Sequence, residues 1–405
     1  MSNGSEKHAS PQNSAETPQD IEIDHKISLV RGGPFYRAQK AIRLLDANRW
    51  NLGRRITLAI VVCWVPLVLI TLFLNPHATK GLLSDYPVNV RMLIAIPILL
   101  GGQILMENVF RKIVRHIGEA GLLTPSDMER LDRTLVTLIR LRDSAIPEAI
   151  IVLIIFFHVL TQIHSQLAIA LPWAVTGTEA SAHITPAGWY YCVVSQLFYQ
   201  FLLFVSIWKW TLWTAFLFRL SKLDLQIVPT HPDKHGGLGF LGMSPTAIIP
   251  TTLVAAAAIG ANWREQILRH GLHLINFKFP AIILLAIMLI VAFGPLLFFV
   301  PLLGKLRRQG ILQYGILGQI HSMEFHKKWI EHREGHEEEL LAAPEISALI
   351  DLSGSFVNVE GLQPFPLDKG AVVGLVLSIA IPMLPVVLAE IPFVEVLKGL
   401  LSAVK

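Results

Sequence analysis

The stretch Ile56–Leu74 decides the fold: it reads ITLAIVVCWVPLVLITLFL and contains no charged residue. An α-helix needs about 20 mostly apolar residues to cross the hydrocarbon core of a bilayer. Further apolar segments follow along the chain, namely Arg91–Val109, Ile146–Ile163, Trp189–Leu220, Pro245–Ala261, Phe279–Leu303 and Ala371–Leu397. The sequence therefore predicts an all-α fold, a polytopic transmembrane helix bundle of about seven spans with cytoplasmic helical extensions.

The composition agrees with lipid as the solvent. Hydrophobic residues make up 53% of the chain and charged residues 16%, with a mean hydropathy of +0.53. A soluble domain is about 45–50% apolar and about 25% charged. The net charge of +4 would suit nucleic acid, but the Lys and Arg residues lie mainly in loops beside apolar segments, so nucleic-acid binding is not expected. Cys63 and Cys192 each lie inside an apolar run, which supports neither a disulfide framework nor a zinc ribbon.

Lysine and arginine indicate the direction of the bundle, because cytoplasmic loops carry an excess of both. With seven spans, 26 of the 34 lie on the side of the N-terminus and seven on the other side, and Lys209 lies inside a span. We therefore expect a cytoplasmic N-terminus. If Pro245–Ala261 is a re-entrant segment, six spans remain and the C-terminus returns to the cytoplasm.

Polar and charged segments divide the chain around these spans. Residues 1–30 are predicted to be a disordered cytoplasmic tail. Residues 31–55 are predicted to be a basic amphipathic juxtamembrane segment on the inner leaflet, with an ordinary basic flank as the alternative. Thr124-Pro125-Ser126-Asp127 predicts the start of a helix. The remaining divisions are a transmembrane bundle at 56–303 with a cytoplasmic helical loop at 110–143, a cytoplasmic helical region at 304–369 and a C-terminal transmembrane segment at 370–405.

The most distinctive local sequence is the loop THPDKHGGLGFL at residues 230–241. Two imidazoles and a carboxylate could bind a divalent metal, and the glycines could bring backbone N–H groups close to an anion. A tight structural turn is the third interpretation, and the sequence leaves all three open. The candidate residues are His231, Asp233, His235, Gly236, Gly237 and Gly239.

A second group of histidines follows the sixth apolar segment. On a helix, His332, His336 and Glu339 would share one face and could bind a transition metal. The HExxH spacing of zinc proteases is absent from this segment. A solvated, charged helix face is the alternative interpretation.

Ionisable residues inside predicted spans are candidates for function, because charge is expensive in hydrocarbon. Glu107, Glu148 and Lys209 lie near the inner ends of their spans, where they could pair or extend toward water. His158 and Glu390 are expected to lie deeper. Glu390 also follows prolines that could break its helix and open a cavity.

The chain resembles an uncharacterised family of bacterial polytopic membrane proteins. The resemblance depends on Ser221-Lys222-Leu223-Asp224-Leu225, on the loop that resembles THPDxxGGLGFL, and on Arg142-Asp143-Ser144 before the third span. It extends from about Arg142 to Val394. It implies a multi-pass protein of the bacterial inner membrane and supplies no activity, substrate or cofactor.

Three classes of function remain open at this point. The leading hypothesis is a transporter or channel-like protein for a small solute or ion. The second is a membrane-embedded enzyme with an inner-face site around His231 and Asp233. The third is a membrane sensor or scaffold that acts through a helix at Leu303–Leu341. The lipid bilayer is the expected partner, and the sequence leaves open the cofactor, the substrate and whether the chain forms a homo-oligomer.

Overall fold

The computed structural model describes residues 28–45, 50–166, 173–176, 183–331 and 344–391. Regular structure in these residues is helical except for two short antiparallel strands, β1 and β2. The first half of the chain contains α1 (Pro34–Ala41), α2 (Leu52–Cys63), α3 (Val65–Leu74), α4 (Pro76–Ser84), α5 (Tyr86–Asn89), α6 (Ile96–Glu119), α7 (Pro125–Asp143) and α8 (Ala145–Gln166).

The second half begins with the two strands. Its elements are β1 (Val175–Thr176), β2 (His183–Ile184), α9 (Pro186–Tyr190), α10 (Leu197–Leu220), α11 (Ile249–His270), α12 (Lys278–Phe293), α13 (Val300–His326), α14 (Pro344–Glu360) and α15 (Lys369–Val387). Turns of π-helix at Val90–Ala95, Tyr191–Gln196 and Lys327–Glu331, and of 3₁₀-helix at Gly239–Ile248, Leu274–Phe277 and Gly294–Phe299, extend these helices.

The helices confirm a transmembrane bundle. Six helical segments of the described residues are long and apolar enough to cross a membrane: Leu52–Leu74, Tyr86–Glu119, Pro186–Leu220, Gly239–His270, Leu274–Glu331 and Lys369–Val387. A seventh arises if Pro125–Asp143 and Ala145–Thr161, which meet at a bend of 44°, are counted together as one broken span. The helix predicted at Pro245–Ala261 is therefore a full-length helix.

The bundle has two ends, which we name the N-terminal face and the opposite face. The N-terminal face carries residues 28–45, which bond to α6, to the end of α7 and to the start of α8. At the opposite face, Trp173 donates to Asp85 at the start of α5, and His273 lies against Glu390 after the end of α15. If the broken pair counts as a seventh span, successive spans run in alternating directions, which places residues 28–45 at one end of the bundle and the Trp173–Asp85 and His273–Glu390 contacts at the other end.

Small residues bring α11 and α15 close together. A Cβ atom on Gly260 would lie 3.0 Å from the carbonyl oxygen of Pro382, and one on Gly374 would lie 2.8 Å from Ile249. Between these contacts, the hydroxyl groups of Thr252 and Ser378 lie 2.9 Å apart. Helices in lipid associate through close packing of small residues and through such polar contacts, since the hydrocarbon gives apolar side chains no preference for one another.

A stack of aromatic rings fills the bundle near the N-terminal face. The Trp213 ring lies parallel to Phe110, with centroids 4.1 Å apart, and 5.0 Å from Phe216. All three side chains are at most 2% exposed. This core joins α6 to α10 and closes the bundle at that level.

The folded bundle begins before the predicted end of the tail at residue 30. Ser28, Leu29 and Val30 are buried, and Ser28 donates to Glu107 at 2.6 Å; residues 1–27 lie outside the described part. In the basic segment at 31–55, the described helix ends at Ala41, and Arg43 then takes a left-handed conformation with φ of 55°.

We expect Gly260→Val to destabilise the fold. The added side chain would overlap the backbone of α15, and overpacking of this kind costs about 1–3 kcal/mol. Gly318→Val on α13 is the matched control, because a Cβ atom there meets nothing within 4 Å. The measurement is the thermal midpoint in detergent, and equal midpoints for both variants would contradict this account of α11–α15 packing.

Candidate functional site

A cavity of about 610 Å³ lies between four helical segments in the half of the bundle near the opposite face. Five of its lining residues are exposed: Asn262 and Gln266 lie within the last three turns of α11, and Ile154, His158 and Phe204 lie on α8 and α10. Exposed side chains therefore border the cavity both near the opposite face and along α8 and α10. Its polar lining residues are Asp85, Arg91, His158, Tyr191, Gln196, Tyr199, Gln200, Asn262, Glu265 and Gln266.

Arg91 is the cation of this cavity. Its Nη1 donates to the Tyr191 hydroxyl at 2.8 Å, and its Nη2 donates to Asn262 Oδ1 at 2.8 Å. Both acceptors are neutral, and the ion pairs among the described residues do not include Arg91. Two fixed bonds hold the planar guanidinium in one orientation, and its remaining donors are left for a ligand.

Two turns of π-helix meet at this cavity. Arg91 lies in the turn Val90–Ala95, and Tyr191 lies in the turn Tyr191–Gln196. A π turn inserts one residue into an α-helix and so redirects the side chains around it, and such turns are common at functional sites. The bond between Arg91 and Tyr191 thus joins the two irregular turns directly.

Further polar groups extend the network along α10. The Tyr191 hydroxyl donates a hydrogen bond to Gln196 Oε1, with 3.0 Å between the oxygens. Gln200 lies one helical turn beyond and is 7% exposed, yet its Oε1 has no hydrogen-bond partner. A buried amide oxygen without a partner is costly, and this oxygen is closed off from the cavity, so the Gln200 side chain would have to rotate before a ligand could bond to it.

The two carboxylates in the cavity wall are already bonded. Asp85 accepts from Trp173 Nε1 at 2.9 Å and from the N–H of Val88 at 3.0 Å. Glu265 forms an ion pair with Arg269 on the next turn of α11. Each acid therefore has donors of its own, and Arg91 remains the charge that lacks a bonded counterion.

His158 lies in the wall of this cavity, on α8. It is one of the intramembrane candidates named from the sequence, whereas Arg91 is not. In the sequence, Arg91 is indistinguishable from an ordinary basic residue at the end of the second span. Only the π turn and the bonds to Tyr191 and Asn262 mark it as a candidate site residue.

Lys209 and Glu148 belong to a separate polar cluster near the N-terminal face. Lys209 is 6% exposed. The negatively charged groups near it are Glu148 and Glu107, and the positively charged groups near it are Arg55 and Arg142. Glu148 accepts from the backbone N–H of Phe35 at 2.8 Å. These residues hold the N-terminal segment against the bundle and are not in the cavity.

Arg142 and Asp143 complete that attachment. Arg142 donates to both carboxylate oxygens of Asp143, at 2.9 and 2.7 Å, and to the carbonyl oxygen of Ser28. Asp143 also accepts from the N–H of Gly33 at 3.0 Å. The bonds from Arg142 and Gly33 therefore fix the Asp143 carboxylate against residues 28–33.

The expected depth of Glu390 is wrong. The last helix ends at Val387, and Glu390 lies after it with a side chain that is 35% exposed. It accepts from the N–H of Leu274 and lies 3.1 Å from His273 Nδ1. The bond from Leu274 lowers its pKa, with a further contribution from His273. Glu390 thus connects the end of α15 to the loop after α11.

The loop at residues 230–241 is organised by Asp233. Its Oδ1 accepts from the N–H groups of His235 and Gly237, at 2.8 and 3.1 Å, and its Oδ2 accepts from Gly239 at 2.9 Å. His231 Nδ1 lies 2.7 Å from Oδ1. The carboxylate of Asp233 therefore binds four groups of its own loop.

Glycine is required where this loop turns back on itself. Gly236 and Gly237 have φ of 66° and 95°, which favours glycine. A Cβ atom on Gly236 would lie 2.8 Å from Leu306, and one on Gly239 would lie 3.0 Å from Asp233 Oδ2. The loop is thereby fitted against α13.

The same loop is docked on the segment after α14. The Nδ1 of His235 lies 3.0 Å from the carbonyl oxygen of Gln363, and the N–H of Gln363 donates to Lys234 at 2.7 Å. Among the described residues no three His, Cys, Asp or Glu side chains form a group that could hold a metal. The geometry favours the structural turn; His332, His336 and Glu339 lie outside the described residues.

We expect Asp233→Asn to lower the stability by about 1–2 kcal/mol at neutral pH, because hydrogen bonds to a charged acceptor are stronger than bonds to a neutral one. Partial burial raises the pKa of Asp233, but the N–H groups of His235, Gly239 and Gly237 and the side chain of His231 outweigh it, so the pKa lies below its ordinary value.

A depressed pKa stabilises the fold above the unfolded value of about 3.9, and this contribution is lost as the pH falls through the folded value. Chemical denaturation should therefore show a difference between wild type and Asp233→Asn at pH 7 that shrinks below about pH 4. The exposed Asp224→Asn is the control. A difference that is independent of pH would contradict the role given to the charge.

Comparison with known proteins found no matching family model, no matching curated protein and no matching solved structure.

Proposed function

We propose that this protein is a membrane carrier for a small organic anion, which binds in the 610 Å³ cavity with its carboxylate on Arg91. The observation that carries the proposal is the guanidinium of Arg91, which Tyr191 and Asn262 hold in position. No described carboxylate forms an ion pair with it, and Asp85 in the same cavity acts on it only from a distance. Planar guanidinium groups recognise carboxylates with paired hydrogen bonds.

The size and lining of the cavity support a metabolite-sized ligand. Binding sites for small molecules commonly have volumes of about 300–1,000 Å³ and combine apolar walls with a few placed polar groups. Leu203, Phe204 and Ile154 supply apolar wall on the same side as His158. After a rotation of its side chain, the unpaired Gln200 Oε1 would accept from a hydroxyl or amine on the ligand.

Transport accounts for the asymmetric position of the cavity better than catalysis does. The cavity lies in the half of the bundle near the opposite face, whereas the stack of Phe110, Trp213 and Phe216 fills the bundle nearer the N-terminal face. A carrier must expose one site to each side in turn, so the stack would have to separate for release. We propose a cytoplasmic N-terminus and a bacterial inner membrane, so that the cavity of this state lies in the half of the bundle nearer the outside.

Uptake into proteoliposomes tests the proposal. The probes are radiolabelled acetate, lactate, succinate and citrate, with phosphate and sulfate as other anions. We expect saturable uptake of at least one carboxylate, and a fall of about 10- to 100-fold in apparent affinity for Arg91→Gln, since a bond to a charged group contributes about 1.5–3 kcal/mol.

Arg115→Gln is the matched control, because Arg115 is 64% exposed on α6 and pairs with Glu119 one turn away. Its uptake should equal that of wild type. Wild-type uptake no faster than that of empty liposomes for every probe, or uptake that Arg91→Gln leaves unchanged, would overturn the proposal.

A further inference from the structure

A second cavity, of about 170 Å³, lies near the N-terminal face between α1, α2, α6 and α10. Most of its wall is apolar, and two polar side chains, Arg55 and Gln39, stand at one end. The apolar wall includes Ala38, Ile42, Leu58, Val62, Leu100 and Phe198.

Arg55 is a buried cation without an acidic partner. It is 3% exposed, and it donates from Nε to Gln39 Oε1 at 2.7 Å and from Nη2 to Gln103 Oε1 at 2.8 Å. Its guanidinium carbon lies 5.5 Å from the centre of the Trp50 ring. The ion pairs of the described residues do not include Arg55.

Two buried donors lack acceptors: Arg55 Nη1 and the Nε2 of Gln103, which lies behind the cavity wall and bonds to Arg55. Gln103 is 3% exposed. Lys209, another buried cation, is an electrostatic neighbour of Arg55. Buried donors and an uncompensated positive charge are costly in an apolar environment, and an anionic group placed between them would remove that cost.

The cavity extends from Arg55 along α2. Its lining on α2 runs from Arg55 to Cys63, which is eight residues or about 12 Å along the helix axis. Leu58 and Val62 are 39% and 42% exposed on the side of α2 that faces the bilayer. A ligand could therefore enter sideways from the lipid, with a polar group at Arg55 and an apolar chain along α2.

We propose that this cavity binds one anionic amphiphile, with a carboxylate or phosphate group at the guanidinium of Arg55 and an acyl chain in the apolar slot. The charge complementarity with Arg55 selects an anionic head, and the apolar slot beside the bilayer selects a chain. The site is separate from the Arg91 cavity and does not depend on the function proposed for it.

Photolabelling of the full-length protein in phosphatidylcholine nanodiscs tests this site. The two probes are a diazirine-bearing palmitate and a phosphatidylglycerol with the same diazirine chain, and mass spectrometry locates the adducts. We expect adducts on residues 38–63 that excess unlabelled probe suppresses. Labelling by palmitate alone would identify a free carboxylate as the head group, whereas labelling by both would admit a phosphodiester lipid.

Three variants make the result decisive. Arg55→Gln should reduce labelling of residues 38–63 at least fivefold, while Arg54→Gln, a neighbouring exposed arginine, should not. Ala38→Trp would fill the exposed rim of the slot without removing a hydrogen bond, so it keeps the test valid if Arg55→Gln folds poorly. Labelling that excess probe does not suppress, or that is equal in wild type, Arg55→Gln and Ala38→Trp, would overturn the proposal.

Discussion

A charge inside a bilayer must find its partners within the protein, and the arrangement of this bundle follows from that constraint. Hydrocarbon offers no hydrogen bonds, so backbone groups pair within helices and each intramembrane charge needs fixed neighbours. Arg91 meets this requirement through Tyr191 and Asn262, which belong to two other spans. One guanidinium thereby fixes the relative positions of three helices.

The same constraint explains why Arg91 and Arg55 stand out. The acids near them are bonded elsewhere: Asp85 to Trp173, Glu265 to Arg269, and Glu148 to the backbone of Phe35. Neutral amide or phenol oxygens orient each guanidinium without cancelling its charge. That combination is characteristic of a receptor for an anion more than of a structural ion pair.

Much of the fold could be predicted because its signals are local. Apolar length predicted the spans, and the cap at Thr124 predicted the start of α7, where the Thr124 hydroxyl accepts from Asp127 as expected of an N-cap. The interruption of the basic segment after Ala41 and the end of α15 at Val387 were not predictable, since they depend on contacts with other helices.

The candidate site could be predicted only in part, for a physical reason. The loop from Thr230 to Leu241 has a conspicuous sequence because Asp233 and the glycines must close a tight turn, which is a structural demand as specific as a catalytic one. The cavity, in contrast, is assembled from side chains far apart in sequence. Only His158 was found in advance, since neither π turn has a recognisable sequence pattern.

The most direct test of the central claim is the chemical accessibility of the cavity wall. Ala258 lines the cavity on α11, and a cysteine there can be introduced into a chain that lacks Cys63 and Cys192. The account predicts that a membrane-impermeant maleimide modifies this cysteine from the face opposite the N-terminus. It also predicts that a transported carboxylate slows the modification in the presence of Arg91 but not of Arg91→Gln. Modification only from the N-terminal face, or at a rate that none of the carboxylates changes, would contradict it.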